Sequence, residues 1–363
     1  MKKLIIYSNW NKQDIKKTWS GTGYALLVGL KKKFDVQDVG MMSGTITNFI
    51  FKISRYSNMV SRLFYQIQNL HFKLRHKSDI PTFMISEVLD VPNEKYLYFD
   101  NIWHTVYLFR QLKYLENSNY NKWSFDKIFS YSSESNLELQ VKRQYQIMKS
   151  AKCIFCMGNW LVNYIVEVYP EFKHKTIAVG GGINIPELHF KIENKSKNKT
   201  ILFVGRDFYR KGGDLVVDAF HLLKQKYPNV RLIIAGPQNK PSEVTDDIIF
   251  KGDLPNEEIG LLMTQCDVFC MPSRFEAYGL VFIEALVSGL PCVARNAFEM
   301  PYFIENGVTG RLIDHDSPKE LADALNDVLH NSLYRKNVEE RKKWYMKEYC
   351  WENVCTKISN YII

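Results

Sequence analysis

The chain has 363 residues, a formal net charge of +9 and a hydrophobic fraction of 46%, which makes it too long for one ordinary core and suited to two α/β domains. No stretch reaches the roughly 20 apolar residues that a membrane-spanning helix needs. The opening Met1-Lys2-Lys3-Leu4-Ile5-Ile6-Tyr7-Ser8-Asn9 has too short an apolar run for a signal peptide, and seven cysteines without an export signal imply reduced thiols in a cytoplasm.

The start therefore reads as a first β-strand. After it, Trp19-Ser20-Gly21-Thr22-Gly23-Tyr24-Ala25 is a loop running into a helix, where Gly21, Thr22 and Gly23 let backbone approach a phosphate or sugar. It is not a dinucleotide fingerprint. About eleven residues separate it from the strand, and Leu26 occupies the third glycine position.

From Gly40 to Ser78 there is no acidic residue, while Lys52, Arg55, Arg62, Lys73, Arg75 and Lys77 interleave with Phe49, Phe51, Leu63, Phe64, Leu70 and Phe72. Residues 1–183 hold about 25 Lys and Arg against about 14 Asp and Glu, leaving the remainder slightly acidic. Basic and aromatic residues at helical spacing suit an interfacial helix on an anionic membrane through residues 49–77. The alternative is a solvated basic helix with a core-facing stripe. No recognised motif supports nucleic-acid binding.

Tyr98 to Ile102 is a strand-like run leading to His104, and Asp100 is a weaker polar candidate beside it. Cys153 and Cys156 form a C-x-x-C with no second pair and no nearby His, inside an apolar strand, so they read as core thiols. Gly180-Gly181-Gly182 closes a first domain of residues 1–183, and residues 184–200 form a polar, Lys/Asn-rich linker.

A second domain spans residues 201–344. Its alternating apolar strands and helical stretches imply a parallel, helix-flanked sheet. The strand Ile201-Leu202-Phe203-Val204 is followed by Gly205, Arg206, Arg210, Lys211, Gly212 and Gly213, and then an amphipathic helix. Fixed cations on flexible backbone at a strand end suit a diphosphate leaving group. Arg210 is read as solvent-facing.

The next apolar strand, Val268-Phe269-Cys270-Met271, leads into Pro272-Ser273-Arg274-Phe275-Glu276-Ala277-Tyr278-Gly279-Leu280, with Glu284 eight positions beyond Glu276. A helix starting near Gly279 would offer free N–H groups to a pyrophosphate. Glu276 would then face a sugar on one side and Glu284, five residues in at about 1.5 Å each, the ribose on the other. An ionised carboxylate accepts from two hydroxyls at once. Further on, Asp314-His315-Asp316 mimics a metal-binding D-x-D, yet precedes Ser317-Pro318-Lys319-Glu320, a capping box, and is read as structural.

On these residues the chain resembles the family-4 retaining glycosyltransferases of the GT-B fold. Their signature is a pair of glutamates separated by seven residues, as Glu276 and Glu284 are, and Arg206 and Lys211 stand where the family's phosphate-binding Arg and Lys stand. Gly158 and Tyr302 depart from the common Ser and Glu of the pattern. The resemblance implies two Rossmann-like domains with parallel sheets facing across a cleft, and a C-terminal helix at about 345–363 recrossing to the first. It implies donor contacts from Gly205, Arg206, Lys211, Gly236, Gly252, Leu254, Glu276, Ala277, Tyr278, Gly279, Leu280 and Glu284. Glu276, Arg206, Lys211 and, on the acceptor side, His104 would carry catalysis.

The expected reaction moves a hexose, with retention, from a UDP- or GDP-sugar to a glycan or lipid-linked acceptor, without metal or cofactor. The expected setting is bacterial cell-surface polysaccharide synthesis, in the cytoplasm or peripheral on the inner face of the membrane. A nucleotide-sugar epimerase and a silent sugar-nucleotide-binding module are the alternatives.

Overall fold

A computed structural model describes residues 1–9, 21–40, 45–54, 56–86, 89–115, 133–185 and 198–362. Its contacts divide the chain into two units, Met1–Gly182 with Trp351–Ile363, and Ile183–Cys350.

The first unit contains β1 (Lys3–Ser8), α1 (Thr22–Lys31), β2 (Asp35–Gly40), α2 (Thr45–Ser54), α3 (Asn58–Arg75), β3 (Thr82–Ile85), β4 (Lys95–Phe99), α4 (Trp103–Leu115), α5 (Glu134–Ser150), β5 (Cys153–Cys156), α6 (Asn159–Val168) and β6 (Thr176–Ala178). The strands form one parallel sheet in the order β2-β1-β3-β4-β5-β6. Every residue of β3, β4 and β5 is buried, as expected of parallel strands covered by helices on both faces. That explains their continuous apolar runs. Cys153 and Cys156 lie in this core, and burial pushes the Cys153 thiol up to about 11. Lys175 ends a short 3₁₀ turn over Pro170–Lys175, and its buried ammonium donates to the carbonyls of Met148, Lys149 and Ala151 at 2.8–2.9 Å. These carbonyls close α5, which would otherwise leave acceptors unpaired.

The second unit contains β7 (Thr200–Val204), α7 (Gly213–Lys226), β8 (Arg231–Ala235), β9 (Ile249–Gly252), α8 (Asn256–Gln265), β10 (Val268–Met271), α9 (Leu280–Val287), β11 (Cys292–Arg295), α10 (Met300–Phe303), β12 (Gly310–Ile313), α11 (Pro318–His330) and α12 (Ser332–Glu348). Its sheet is also parallel, in the order β12-β11-β10-β7-β8-β9. The chain winds outward from β7 in one direction and then restarts at β10 on the other side. The β7/β10 boundary is therefore a topological switch point, where the loops leaving the strands' carboxyl ends diverge and open a crevice.

The last helix, α13 (Trp351–Ser359), belongs to the first unit. It packs on α1 so closely that a Cβ on Gly29 would meet Sγ of Cys355. The expected start of the returning segment near residue 345 is six residues early. Tyr345 is buried, and Tyr349 accepts from the Ile183 amide at 2.9 Å and sets its ring edge-on to Phe303, which holds both in the second unit. Most of the expected linker, residues 186–197, lies outside the described residues, as do Trp19, Ser20 and Arg55.

Candidate active site

The loops at the β7/β10 switch point carry the candidate residues. The first runs from Gly205 to Gly212 and ends in the left-handed region at Gly212, where φ is 75° and a Cβ would strike the Pro272 carbonyl. Only glycine fits that position. The second loop, residues 272–279, ends at Gly279, the N-cap of α9, with φ of 90° and no side-chain cap on the helix's first amides. Those uncapped N–H groups and the helix dipole make an electropositive end.

Between the two loops, Lys211 Nζ donates to Glu276 Oε2 at 3.1 Å, and Ser273 Oγ donates to the same oxygen at 3.3 Å. The Lys211 stem lies against Gly205, where a Cβ would come within 2.5 Å of its Cδ. Glu276 is buried. Burial alone raises a carboxyl pKa, but the attraction of Lys211 and then Arg210, with hydrogen bonds from Lys211 and Ser273, outweighs it and holds Glu276 below its ordinary value. Glu276 is thus ionised at neutral pH and acts as an acceptor.

Glu284 is different. It sits one turn into α9, half-buried, and its carboxylate accepts a long bond from the Asn184 amide at 3.3 Å. Burial pushes its pKa up to about 7, against smaller lowering effects of that bond and of Lys211.

Arg210 corrects the expectation that it faces solvent. Its Nε donates to Asp207 at 3.0 Å and its NH1 to the Phe275 carbonyl at 2.6 Å, leaving NH1 3.9 Å from Glu276. The loop folds back through the Arg274 N–H to Arg210 carbonyl bond of 2.9 Å, which turns the side chain inward. Arg206 is not brought to the pair. It is 76% exposed and bonds Asp253 at 3.0 Å. Asp253 belongs to the segment after β9, so Arg206 spans the outer loops.

Gly205, Gly236 and Gly252 meet at the ends of β7, β8 and β9. A Cβ on Gly236, at φ 113°, would lie 2.6 Å from the Gly205 carbonyl carbon, and the Gly236 amide donates to Gly252 at 2.7 Å. Leu254 is half-buried just beyond. Tyr278 turns its ring into the core, edge-on to Phe303 at 5.1 Å. Ala277 and Leu280 are half-buried beside Gly279.

Sequence reasoning missed Arg274, which pins the whole second loop. Its almost fully buried guanidinium donates to both oxygens of Asp214 at 2.7 and 3.0 Å, to the Tyr209 carbonyl at 2.6 Å and to Asp316 at 2.7 Å. Arg295 joins Asp316 as well, and donates to the Ser273 carbonyl at 3.1 Å. The available signal was an Arg two residues before Glu276, but its partners lie 42 and 60 positions away. Asp316 is therefore occupied by two guanidiniums, and Asp314 accepts from Asn296 at 2.9 Å. Ser317 caps α11 as the capping box requires, yet Glu320 reaches back past Ser317 to accept from the Asp314 and His315 amides. Among the described residues, no group of three His, Cys, Asp or Glu is placed to hold a metal.

The acceptor-side candidates lie in the first unit. Gly21, at φ 91°, is the N-cap of α1, with Thr22 and Gly23 buried behind it. His104 begins α4 just past the end of β4. Its Nδ1 is 2.8 Å from the Tyr164 hydroxyl, Tyr169 stands edge-on at 5.6 Å, and burial lowers its pKa. Gly158 leads α6 without a side-chain cap, as the missing hydroxyl dictates.

Two doubly wound parallel sheets with charged loops at a switch point define the GT-B class of fold. Solved structures agree across nearly the full chain. Sucrose-phosphate synthase from Thermosynechococcus elongatus superposes with a TM-score of 0.67 at 14% identity, covering 99% of this chain and 98% of that one. The Anabaena protein HepE in complex with UDP and glucose gives 0.59 at 15%, covering 100% and 99%. Residues 184–345, within the second unit, match the family of glycosyl transferases group 1. An uncharacterized glycosyltransferase of Methanocaldococcus jannaschii is 26% identical over 208 residues, 55% of this chain and 56% of that protein. A D-inositol 3-phosphate glycosyltransferase of Corynebacterium urealyticum is 26% identical over 242 residues, 59% and 57% of the two. The chain thus spans a little over half the length of these two relatives.

Proposed function

We propose that the protein is a retaining glycosyltransferase that moves a hexose from a nucleoside-diphosphate sugar, UDP- or GDP-linked, to a hydroxyl of a glycan or lipid-linked acceptor. The observation that carries this reading is the pair of Lys211 with the buried Glu276 beside the uncapped start of α9. A cation and a helix N-terminus suit the diphosphate, while an ionised carboxylate suits the sugar hydroxyls and a cationic transition state. The likeness in fold to a protein that binds UDP and glucose supports the nucleotide-sugar part.

In the proposed step the bond from the anomeric carbon to the β-phosphate oxygen breaks, its electrons leaving with the phosphate. The acceptor oxygen bonds the same face of that carbon, and its proton passes to the departing phosphate oxygen. Lys211, with Arg210 behind it, compensates the charge that develops, so this chain's own cations suffice and no metal is called for. Glu276 holds the sugar and stabilises positive charge. A covalent glycosyl-Glu276 intermediate is a second route, disfavoured because Lys211 and Ser273 occupy one carboxylate oxygen.

The setting proposed is the inner face of a cell membrane, in the assembly of a cell-surface polysaccharide. The attachment proposed is peripheral, and no helix among the described residues is long and apolar enough to cross a membrane. Thermal-shift screening with UDP-, GDP- and ADP-sugars tests the donor. Ligand at 100 times its dissociation constant should stabilise by about 2.7 kcal/mol. Transfer to a short acceptor, unchanged by EDTA, tests the rest. Release of an epimer or free sugar without acceptor would identify an epimerase, and binding without turnover a silent module.

A further inference from the structure

The helix α3 has two apolar faces. One is buried and holds Phe64, Tyr65 and Phe72 with Ser61 and Gln68. It is anchored by ring contact of Phe51 with Phe64 at 5.3 Å and by Gln140 donating to Ser61 at 2.9 Å. The other is exposed. Met59, Leu63, Ile67, Leu70 and Leu74 are between 36% and 77% accessible. At 3.6 residues per turn these five fall within an arc of about 80°, opposite the buried face, and run about 22 Å along the helix. Single exposed leucines need no explanation, but a continuous line of five does. Phe49 and Ile53 on α2, and Tyr56 after it, add exposed apolar surface.

Charge decides what covers this face. Arg62 and Lys73 are exposed and border one edge of the line, Lys52 and Lys77 are exposed on the flanking segments, and no acidic residue occurs between Gly40 and Ser78. A second copy docked face to face would set these cations against their own kind. A nucleic acid would find aliphatic side chains where bases need aromatic platforms. An anionic lipid surface satisfies both features, taking the aliphatic line into the acyl boundary and the cations among its headgroups.

We infer that α3 seats the protein on anionic lipid by inserting Met59, Leu63, Ile67, Leu70 and Leu74, with Arg62 and Lys73 at headgroup level. This deepens the proposed function, since it rests on an acceptor presented at a membrane, and it assigns the depth of attachment to the apolar line and its lipid preference to the cations.

The experiment is co-sedimentation of the full chain with phosphatidylcholine vesicles, with and without phosphatidylglycerol, at low and high salt. Wild type should bind the anionic vesicles, and less so as the Debye length falls from about 10 Å at 0.1 M to about 3 Å at 1 M. Leu63→Ser with Leu70→Ser should lower binding at least tenfold at either salt concentration. Arg62→Gln with Lys73→Gln should lower it on the order of 10-fold at low salt only. Nucleotide-dependent thermal stabilisation of each variant reports an intact fold and donor unit, so its absence in wild type would count against the transferase reading alone. Wild-type vesicle binding by the double Leu variant overturns the inference. So does a concentration-dependent dimer that this variant dissolves while wild type ignores vesicles, because the face is then a protein interface.

Discussion

The two units are both parallel, doubly wound sheets, ordered β2-β1-β3-β4-β5-β6 and β12-β11-β10-β7-β8-β9, and they fill their loops with opposite chemistry. At the carboxyl ends of β7 and β10 the second unit sets Lys211 and Arg210 against the buried Glu276, with Arg274 beside them paired to Asp214 and Asp316. Past β4 the first unit presents His104 among Tyr164 and Tyr169, with neutral hydrogen bonding and no described ion pair to any of the three. Topology fixes where a crevice forms, whereas side chains decide what it holds. Charges preorganised at low dielectric suit a step that develops charge. A neutral aromatic surface suits a polyhydroxyl partner that must bind and leave.

The sharpest way to break this contrast is to remove the charges. Lys211→Ala should lower turnover by about 10²–10³. Glu276→Ala should act chiefly on kcat, while Glu284→Ala should chiefly raise the donor KM, because ribose contacts are shared by ground and transition states. Steady-state kinetics separates them, and unchanged turnover in Lys211→Ala would end the phosphate assignment.

Next in size is Arg274→Gln, which strips two carboxylates of their buried partner. We expect a loss of about 2–3 kcal/mol in urea unfolding, less than for a fully buried pair because Asp214 and Asp316 keep some water. Arg274→Lys should recover little, since an ammonium cannot span Asp214, Asp316 and the Tyr209 carbonyl together. Wild-type stability and donor affinity in Arg274→Gln would show that the loop holds itself.

A smaller effect follows from Glu284. Its folded pKa of about 7 lies above the unfolded value near 4.3. Its contribution to stability is therefore full below the unfolded pKa and is lost as pH rises through about 7. Donor binding has the opposite sign, because ribose hydroxyls need the ionised acceptor. Calorimetry should show affinity for the nucleoside diphosphate rising up to about tenfold from pH 6 to 8, with proton release, and Glu284→Gln should flatten that part of the profile. An unchanged slope in the variant would move the titration elsewhere.

The smallest effect is expected at His104. Burial keeps the imidazole neutral at neutral pH, so His104→Ala should raise acceptor KM a few-fold and leave donor KM alone. A fall in kcat of about a hundredfold or more would instead make it a general base.

Local patterns made much of this legible. The apolar runs of β4, β5 and β10, the glycines at Gly212 and Gly279, and the Glu276–Glu284 spacing follow from rules that act over a few residues, and each was readable in the chain. The basic stretch was also readable, but its second apolar face was not. An apolar residue on a helix is assigned to the core until packing shows which side the core occupies.

What the sequence by itself determined was the two-part α/β organisation, the positions of the candidate-site loops and the identity of their carboxylates and lysine. Tertiary structure alone decided that Arg210 turns inward, that Arg206 reaches Asp253, that Arg274 collects Asp214 and Asp316, and that two glutamates eight residues apart differ in charge state. Each of these depends on which distant groups share a low-dielectric space, and Coulomb attraction and desolvation act through that space rather than along the chain.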